Sequence, residues 1–295
     1  MKNQSRSLRR SVLYMPASNE RALMKSSSLE CDAVVFDFED SVAPDEKQNA
    51  REKLRAFLAG PNRPKCEIAI RINALSSEWG TEDLLAARAC EPNAILIPKV
   101  EGVQSVSDVE RALSEMDAPE SIGLWAMMET PRSILNAGAI ADHARDPSSR
   151  LDCLIVGPND LAKETRIIPG PNRANLAPLL LQVVLAARAG DMTVLDGVSN
   201  NFKDLERFAA ECQHGRELGF DGKTLIHPAQ IDAANRFFGP TEEEIAEAEA
   251  IVAEFAKPEN STRGVISMSG KMVERLHLEI AQDLLSRARL IRERT

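Results

Sequence analysis

The chain has 295 residues, of which 43% are apolar and 27% charged, enough for one large globular domain or two ordinary ones. Its net charge of −9 argues against nucleic acid as the main partner, because phosphate binding requires a basic face. No stretch approaches the roughly 20 apolar residues of a membrane helix, and five scattered cysteines without a C-x-x-C pair are typical of the cytoplasm, so we expect a cytoplasmic protein with no membrane partner.

Short apolar runs recur along the chain, and each is followed by a polar or helix-forming stretch. They begin at Ser11, Ala33, Glu67, Ala94, Ile122, Leu151, Met192 and Gly219. These starts span 208 residues in seven steps (219 − 11 = 208), about 30 each, which is the length of one strand, one helix and two loops. Several runs are continuously apolar, as expected for a parallel sheet that is covered on both faces. The pattern predicts an α/β fold, a (β/α)8 TIM barrel, over residues 1–240.

A doubly wound open sheet is the alternative to the barrel. Such sheets that bind nucleotides carry glycine-rich phosphate loops, but no G-x-G-x-x-G follows the first run and no G-x-x-x-x-G-K-[ST] occurs anywhere. We therefore favour the barrel.

The pattern changes after residue 240. Thr241 is a predicted N-cap, followed by three glutamates that the helix dipole favours, and a second helix is predicted to begin at Lys271. Residues 241–295 therefore form a C-terminal helical extension, which we expect to pack across a barrel mouth of its own or a neighbouring subunit.

Polar side chains cluster at the ends of the predicted strands, where barrels of this kind hold their active sites. They are Asp37, Glu39, Asp40, Arg71, Asn73, Lys99, Glu101, Glu129, Asn159, Asp160, Asp196, Asp221, Lys223 and His227. Their structural alternatives are helix capping for Asp40, Asp160 and Asp196, a solvated ion pair of Lys99 with Glu101, and a hydrogen-bonded structural role for His227.

Glu129 lies beside apolar neighbours, where an unpaired carboxylate is costly to desolvate. A cation shared with Asp160 would compensate it, because adjacent strands bring the two strand ends close together. With oxygen ligands and no histidine or cysteine at ligand spacing, the hypothesis is Mg²⁺, or Mn²⁺, rather than Zn²⁺. A Schiff-base role for Lys99 or Lys223 is the competing use of this end of the barrel, although each lysine also fits as a partner of nearby carboxylates.

Eight stretches carry a resemblance that spans residues 10 to 281. They are RSVLYMPASNER, AVVFDFEDSVAPDEK, IRINAL, IPKVE, METPRSILNA, GPNDLA, GFDGKTLIHPAQI and GKMVERLHLEIA. In this combination the sequence resembles the citrate lyase β-subunit-like group of the HpcH/HpaI aldolase superfamily, which includes malyl-CoA and citramalyl-CoA lyases. The resemblance implies a Mg²⁺-dependent barrel, trimeric or hexameric, that cleaves or forms a carbon–carbon bond in a CoA thioester.

The resemblance also assigns roles at the metal and the substrate. The metal-binding glutamate and aspartate of the family match Glu129 and Asp160, and Glu129 also lies at the substrate. The substrate-binding arginine, which is suited to stabilise an enolate, matches Arg71. Glu39 and Asp40 match the acidic pair that lies near the metal and its waters, so both are candidates for proton transfer.

Three residues match positions at which relatives contact CoA: Tyr14, Arg21 and Lys25. The family's C-terminal segment G-x-M-[IV]-D supplies a catalytic aspartate to a neighbouring subunit, but this chain has Glu274 there. Glutamate keeps the charge and moves the carboxylate by one methylene, so Glu274 is the candidate catalytic residue in trans.

The resulting prediction is a lyase that converts a short 3-hydroxyacyl-CoA of the citryl, malyl or citramalyl type into an acyl-CoA and a 2-oxo acid. A malyl-CoA-type thioesterase on the same scaffold is one alternative, and it would release free CoA. A lyase subunit acting on an acyl-carrier-protein thioester is another. A phosphoenolpyruvate-type barrel enzyme shares the metal chemistry but needs neither the basic pair nor the extension.

Overall fold

The computed structural model of the protein describes residues 8–260, 262–268 and 270–294. The chain forms two compact units, one ending at Asn235 and the other beginning at Arg236. The boundary expected at residue 240 lies close to this division.

The first unit contains a closed barrel of eight parallel strands in sequence order, in which the eighth strand pairs with the first. The strands are β1 (Ser11–Pro16), β2 (Ala33–Asp37), β3 (Glu67–Arg71), β4 (Ala94–Ile97), β5 (Gly123–Met128), β6 (Leu151–Val156), β7 (Thr193–Asp196) and β8 (Gly222–Leu225). Each predicted run contains one of these strands, and the TIM-barrel prediction is confirmed.

Helices follow the strands. They are α1 (Glu20–Ser26), α2 (Lys47–Leu58), α3 (Gly80–Ala89), α4 (Val103–Glu115), α5 (Pro131–Leu135), α6 (Ala137–Ala144), α7 (Pro158–Thr165), α8 (Ala177–Ala189), α9 (Leu205–Glu217) and α10 (Ile231–Phe238), the last of which runs across the division between the units. Helix α4 shows why they form: Val106, Val109 and Leu113 recur at helical spacing and are buried, while its other residues are exposed or half-buried. In the described part of the chain, every helix is too short or too polar to cross a membrane.

The barrel interior is filled at the end where the strands begin. Trp125 is fully buried there, and the guanidinium of Arg9 lies 4.6 Å from the centre of its ring. Arg9 also pairs with Glu67 at 2.7 Å and with Asp152 at 3.0 Å. Arg9, Glu67, Asp152 and Trp125 thus fill the N-terminal end of the barrel, so the polar groups at the C-terminal end are the ones available for chemistry.

After the end of α10, the described residues of the second unit form two helices and an antiparallel hairpin between them. They are α11 (Glu242–Phe255), β9 (Val265–Met268), β10 (Lys271–Glu274) and α12 (Arg275–Arg294). Thr241 caps α11 through a capping box with Glu244, which confirms the predicted N-cap. The expected start of the last helix at Lys271 was wrong, because residues 271–274 pair as a strand whose Val273 packs with Phe255 and Ile266.

Candidate active site

Arg71 is held by Asp37 at the C-terminal end of neighbouring strands. The register of β2 and β3 pairs these two residues directly, and Asp37 accepts hydrogen bonds from Nε and Nη2 of Arg71, each at 2.7 Å. Asp37 also accepts from the backbone amides of Glu39 and Ser41. Although burial opposes its ionisation, Arg71 and these donors hold the pKa of Asp37 below its usual value. The bidentate bond fixes the guanidinium plane and leaves Nη1 of Arg71 for other partners.

Glu39 is the second acidic partner of Arg71. Its Oε2 atom lies 2.8 Å from Nη1 of Arg71 in an ion pair, but the atom is buried and accepts no hydrogen bond. Its Oε1 atom accepts a bond of 2.9 Å from Nζ of Lys99. Burial raises the pKa of Glu39 although Arg71 and Lys99 oppose the shift. Asp40 lies at the same strand end, 3.6 Å from Arg71, with 63% of its side chain exposed.

Glu129 sits where β5 ends because the next residues begin a helix. Thr130 caps α5 through a capping box with Ser133, and Pro131 occupies the first turn. Glu129 itself is 2% exposed, and its Oε1 atom accepts a hydrogen bond of 2.7 Å from the backbone amide of Lys99. Lys99 has a left-handed backbone conformation, with φ of +49°, which is uncommon for a residue other than glycine and recurs at functional sites.

Gly157 makes the space that the Glu129 side chain occupies. Its amide donates to the carbonyl of Met128, so the end of β6 lies directly beside the end of β5. A Cβ atom on Gly157 would lie 2.5 Å from both Cβ and Oε2 of Glu129. A glycine is therefore required at this position while Glu129 keeps its place.

Asp160 follows Gly157 on the first turn of α7 and is half-buried. Burial raises the pKa of Glu129 to about 7, and the negative charges of Glu39 and Asp160 add to the effect against the opposing influence of the Lys99 amide and Arg71. Strands β5 and β6 are neighbours, with Met128 opposite Val156, so Glu129 and Asp160 follow adjacent strand ends.

This site fits a hard divalent cation. Its acidic groups outnumber its basic groups by two, since five carboxylates lie near three positively charged side chains. The acidic residues are Asp37, Glu39, Asp40, Glu129 and Asp160, and the basic ones are Arg71, Lys99 and Lys47, whose Nζ atom donates to the carbonyl of Glu39 at 2.8 Å. Within residues 8–260, 262–268 and 270–294, no three His, Cys, Asp or Glu side chains are grouped to ligate a metal. A cation held by Glu129 and Asp160 would therefore take its remaining ligands from water and substrate, as Mg²⁺ commonly does.

Tyr14 belongs to this cluster by position. It is half-buried on β1, its ring lies 5.0 Å from the guanidinium carbon of Arg71, and its hydroxyl donates to Sδ of Met127 at 3.7 Å. Arg21 and Lys25, by contrast, are exposed one turn apart on α1. The structure thus places the predicted CoA residues in two groups, with Tyr14 beside Arg71 and the other two at the surface.

Lys223 has a structural role and is not available as a catalytic lysine. It is fully buried, and its Nζ atom lies 2.8 Å from Asp196 and donates to the carbonyl of Gly197 at 2.6 Å. Asp196 also accepts from Arg173 at 2.8 Å. The structural alternative is therefore correct for Lys223, and Asp196 serves the ion pair rather than capping a helix.

Of the other structural roles that the sequence suggested, one is confirmed and two are wrong. His227 accepts from the amide of Ala229 as a cap and stacks on Phe202 at 4.6 Å, which confirms its structural role. Helix α7 has no side-chain cap, so capping by Asp160 was wrong. The pair expected between Lys99 and Glu101 was also wrong, because Lys99 pairs with Glu39.

Glu274 lies at the end of β10 in the second unit and is half-buried. Its backbone amide donates to Nδ1 of His277 at 3.0 Å. Its action on a neighbouring subunit stays a prediction.

Asp37 and Lys99 were among the predicted strand-end residues, but the pairing of Asp37 with Arg71 and of Lys99 with Glu39 was not predicted, and Gly157 was not singled out. The position of Asp37 at a strand end was visible, and the register next to Arg71 is the signal that would have found it. The left-handed backbone of Lys99 and the contact at Gly157 have no signature in the amino-acid order alone.

Comparison with known proteins identifies relatives of this chain. Residues 10–228 match the family described as HpcH/HpaI aldolase/citrate lyase. A protein named (3S)-malyl-CoA thioesterase from Cereibacter sphaeroides is 44% identical over 282 residues, which cover 96% of this chain and 95% of the relative. The citrate lyase subunit beta of Escherichia coli is 34% identical over 287 residues, which cover 96% and 94%.

A solved structure is similar over nearly the whole chain. The CitE protein of Mycobacterium tuberculosis, in complex with magnesium, acetoacetate and coenzyme A, superposes with a TM-score of 0.75 at 27% identity. The match covers 94% of this chain and 97% of that protein.

Proposed function

This chain belongs to the HpcH/HpaI aldolase/citrate lyase family, and on that premise we propose that it is a Mg²⁺-dependent carbon–carbon lyase. Its substrate would be a short 3-hydroxyacyl-CoA thioester of the malyl, citramalyl or citryl type, and its products an acyl-CoA and a 2-oxo acid. The observation that carries the proposal is Arg71, fixed by Asp37 and directed at an acidic cluster that contains Glu129.

Glu129 and Asp160 are the residues that would hold Mg²⁺. When bound, the ion supplies Lewis-acid polarisation of the oxygen of the 2-oxo or 2-hydroxy acid. The relative whose structure contains magnesium supports this assignment at the level of the family. Glu129 is already oriented for a ligand role, because the amide of Lys99 holds one of its oxygens.

Arg71 would stabilise the negative charge that develops on the thioester oxygen. Carbon–carbon cleavage leaves the electrons of the broken bond on the acyl-CoA fragment as an enolate, whose oxygen carries most of the charge. A permanent cation held in position before the reaction stabilises such a charge without reorganising. The bidentate bond from Asp37 supplies this preorganisation for Arg71.

Glu39 is the proposed proton acceptor. Its Oε2 atom accepts no hydrogen bond and its pKa is raised, so it can take the proton of the 3-hydroxyl group as the carbon–carbon bond breaks. The enolate carbon then receives a proton from Glu39 or from Glu274 of a neighbouring subunit, which completes the acyl-CoA. Asp40, which is more exposed, stays the alternative acid at this strand end.

Thioester hydrolysis is the second candidate, and the 44% identity to proteins named (3S)-malyl-CoA thioesterase favours it. In that reaction a water attacks the thioester carbonyl, and free CoA leaves with a hydroxy diacid as the other product. The same carboxylates would activate the water, and Arg71 would face the oxyanion.

We also propose which group carries the thioester, how the subunits assemble and where the protein is located. Arg21 and Lys25 are exposed on α1 and could bind the phosphates of free CoA. Because other relatives are named citrate lyase subunit beta, a thioester on an acyl-carrier protein is the alternative substrate. A homotrimer or hexamer would bring Glu274 to a neighbouring barrel. We propose the cytoplasm as the location, because the five cysteines are scattered, odd in number and without a C-x-x-C pair.

Product identification tests the proposal. The full chain is incubated with Mg²⁺ and with malyl-, citramalyl-, methylmalyl- and citryl-CoA in turn, and CoA species and 2-oxo acids are separated by liquid chromatography and mass spectrometry. A lyase yields acetyl- or propionyl-CoA with a 2-oxo acid in equal amounts, whereas free CoA with an intact hydroxy diacid identifies the thioesterase. Turnover of none of these esters would contradict both assignments.

Two variants locate the reaction in that assay. Glu129→Gln should abolish Mg²⁺-dependent turnover, because the neutral amide keeps the shape and loses the charge. Glu101→Gln is the matched control, since Glu101 is exposed near the end of the neighbouring strand β4. Equal activity of the two variants would contradict the site.

A further inference from the structure

Two cysteines that lie 35 residues apart in sequence meet at the N-terminal end of the barrel. Cys31 precedes β2 and Cys66 precedes β3, which are neighbouring parallel strands with Ala33 opposite Glu67. The strand pairing continues to this end, because the amide of Glu67 donates to the carbonyl of Asp32 at 3.2 Å. A hydrogen bond with Cys66 is the largest of the influences that raise the pKa of Cys31. Their sulfur atoms are therefore neighbours in the reduced protein.

The pair has one sheltered and one accessible member. Cys31 is 5% exposed, whereas Cys66 is half-buried and follows the exposed Lys65. Cys90, Cys153 and Cys212 are all buried. A solvent-borne oxidant therefore reaches Cys66 first, and Cys31 is the thiol in place to resolve what forms there.

We propose that Cys31 and Cys66 are a modification site, at which a small-molecule disulfide of the glutathione class forms a reversible intramolecular disulfide. The Cys66 thiolate attacks the small disulfide, one thiol leaves, and a mixed disulfide remains on Cys66. The Cys31 thiolate then attacks Sγ of Cys66 and expels the second thiol. In sum, two protein thiols lose two protons and two electrons, and the small disulfide is reduced to two thiols.

The raised pKa of Cys31 determines which of these steps is slower. The hydrogen bond with Cys66 and burial both raise the pKa of Cys31, so its thiolate is scarce at neutral pH. Closure of the disulfide is then the slower step, and the mixed disulfide on Cys66 should appear first. The site lies at the opposite end of the barrel from Arg71 and Glu129, so oxidation should leave metal binding unchanged.

Peptide mapping of the full chain tests the proposal. The protein is incubated with oxidised glutathione, remaining thiols are blocked with N-ethylmaleimide, and a tryptic digest is examined by mass spectrometry without reduction. The expected product is peptide 26–47 linked to peptide 66–71, which carry Cys31 and Cys66. The intact protein should lose about 2 Da, and dithiothreitol should restore the original mass.

Two variants and a second readout sharpen the test. Cys66→Ser should abolish the linked peptide, whereas Cys90→Ser should not, although Cys90 is as buried as Cys31, at 5% exposure each. The oxidised wild-type protein should melt about 5 °C higher than the reduced protein, because the cross-link restricts the unfolded chain. A stable glutathione adduct on Cys66 without the linked peptide, or linkage through another cysteine, would overturn the proposal. Because this mapping uses wild-type protein, its result does not depend on whether the variants fold.

Discussion

Gly157→Ala is the substitution that most directly probes how Glu129 is held. The added Cβ atom would lie 2.5 Å from Cβ and Oε2 of Glu129 and 3.2 Å from Cε of Met127. Carbon atoms in favourable contact are about 3.5–4.0 Å apart, so the Glu129 side chain and the backbone that carries its Cβ atom must shift by roughly 1 Å. The backbone at Gly157 has φ of −102°, which an alanine adopts freely, so the effect is steric.

The magnitude follows from what a metal site tolerates. Ligand distances hold to within about 0.2 Å, and disturbing the groups that orient a ligand costs about 10–100-fold in metal affinity. The retreat of Glu129 would also break its 2.7 Å bond from the amide of Lys99. We therefore expect Gly157→Ala to weaken Mg²⁺ binding by at least tenfold, and to lower the free energy of unfolding by about 1–3 kcal/mol through overpacking.

Isothermal titration calorimetry with Mg²⁺ or Mn²⁺ measures the affinity, and thermal unfolding measures the stability. Gly138→Ala is the matched control, because Gly138 lies within helix α6 and an added Cβ there meets no atom within 4 Å. This control should bind the ion as the wild type does and be as stable or slightly more stable. A folded Gly157→Ala protein with wild-type affinity would show that the position of Glu129 does not determine Mg²⁺ binding.

Three further outcomes follow from the same cluster and its surroundings. Because the pKa of Glu129 is raised to about 7, protons compete with the ion, and calorimetry from pH 5.5 to 8 should show Mg²⁺ affinity falling about tenfold per pH unit below 7 and levelling above it; a flat profile would contradict this ligand. If Glu274 acts in trans, Arg71→Met and Glu274→Gln proteins, each inactive alone, should regain about a quarter of wild-type turnover when their subunits are mixed and reassembled; no recovery would place both residues in one subunit's site. Neutralising Arg21 and Lys25 together should raise KM for the CoA thioester about tenfold at unchanged kcat, while a pantetheine thioester without the nucleotide is unaffected; equal effects on both esters would exclude a phosphate contact.

The barrel could be predicted because its strands leave a strong signal. Each is a short apolar run bounded by polar residues, and a fixed repeat of about 30 residues sets the order. The hairpin from Val265 to Glu274 was missed because the residues after Gly270 also have the apolar spacing of a helix. These residues form a strand because β10 pairs with β9. Such a contact between two segments cannot be read from the pattern of one segment alone.

The site was partly predictable for a related reason. Strand ends in a parallel barrel converge, so the positions of Arg71, Glu129 and Asp160 in sequence already indicated one cluster. Which acid pairs with which base depends on register and backbone conformation. Lys99 has a left-handed backbone and pairs with Glu39, and neither feature can be read from its neighbours in sequence.

The central claim is that Glu129 and Asp160 together bind one divalent cation. A crystal of the full chain soaked with Mn²⁺ and a 2-oxo acid, measured for anomalous scattering, tests it directly. If both residues bind the ion, one strong anomalous peak lies about 2.0–2.2 Å from a carboxylate oxygen of each residue. An anomalous peak elsewhere in the protein, or none at these carboxylates in crystals whose soaked ion supports turnover, would contradict it.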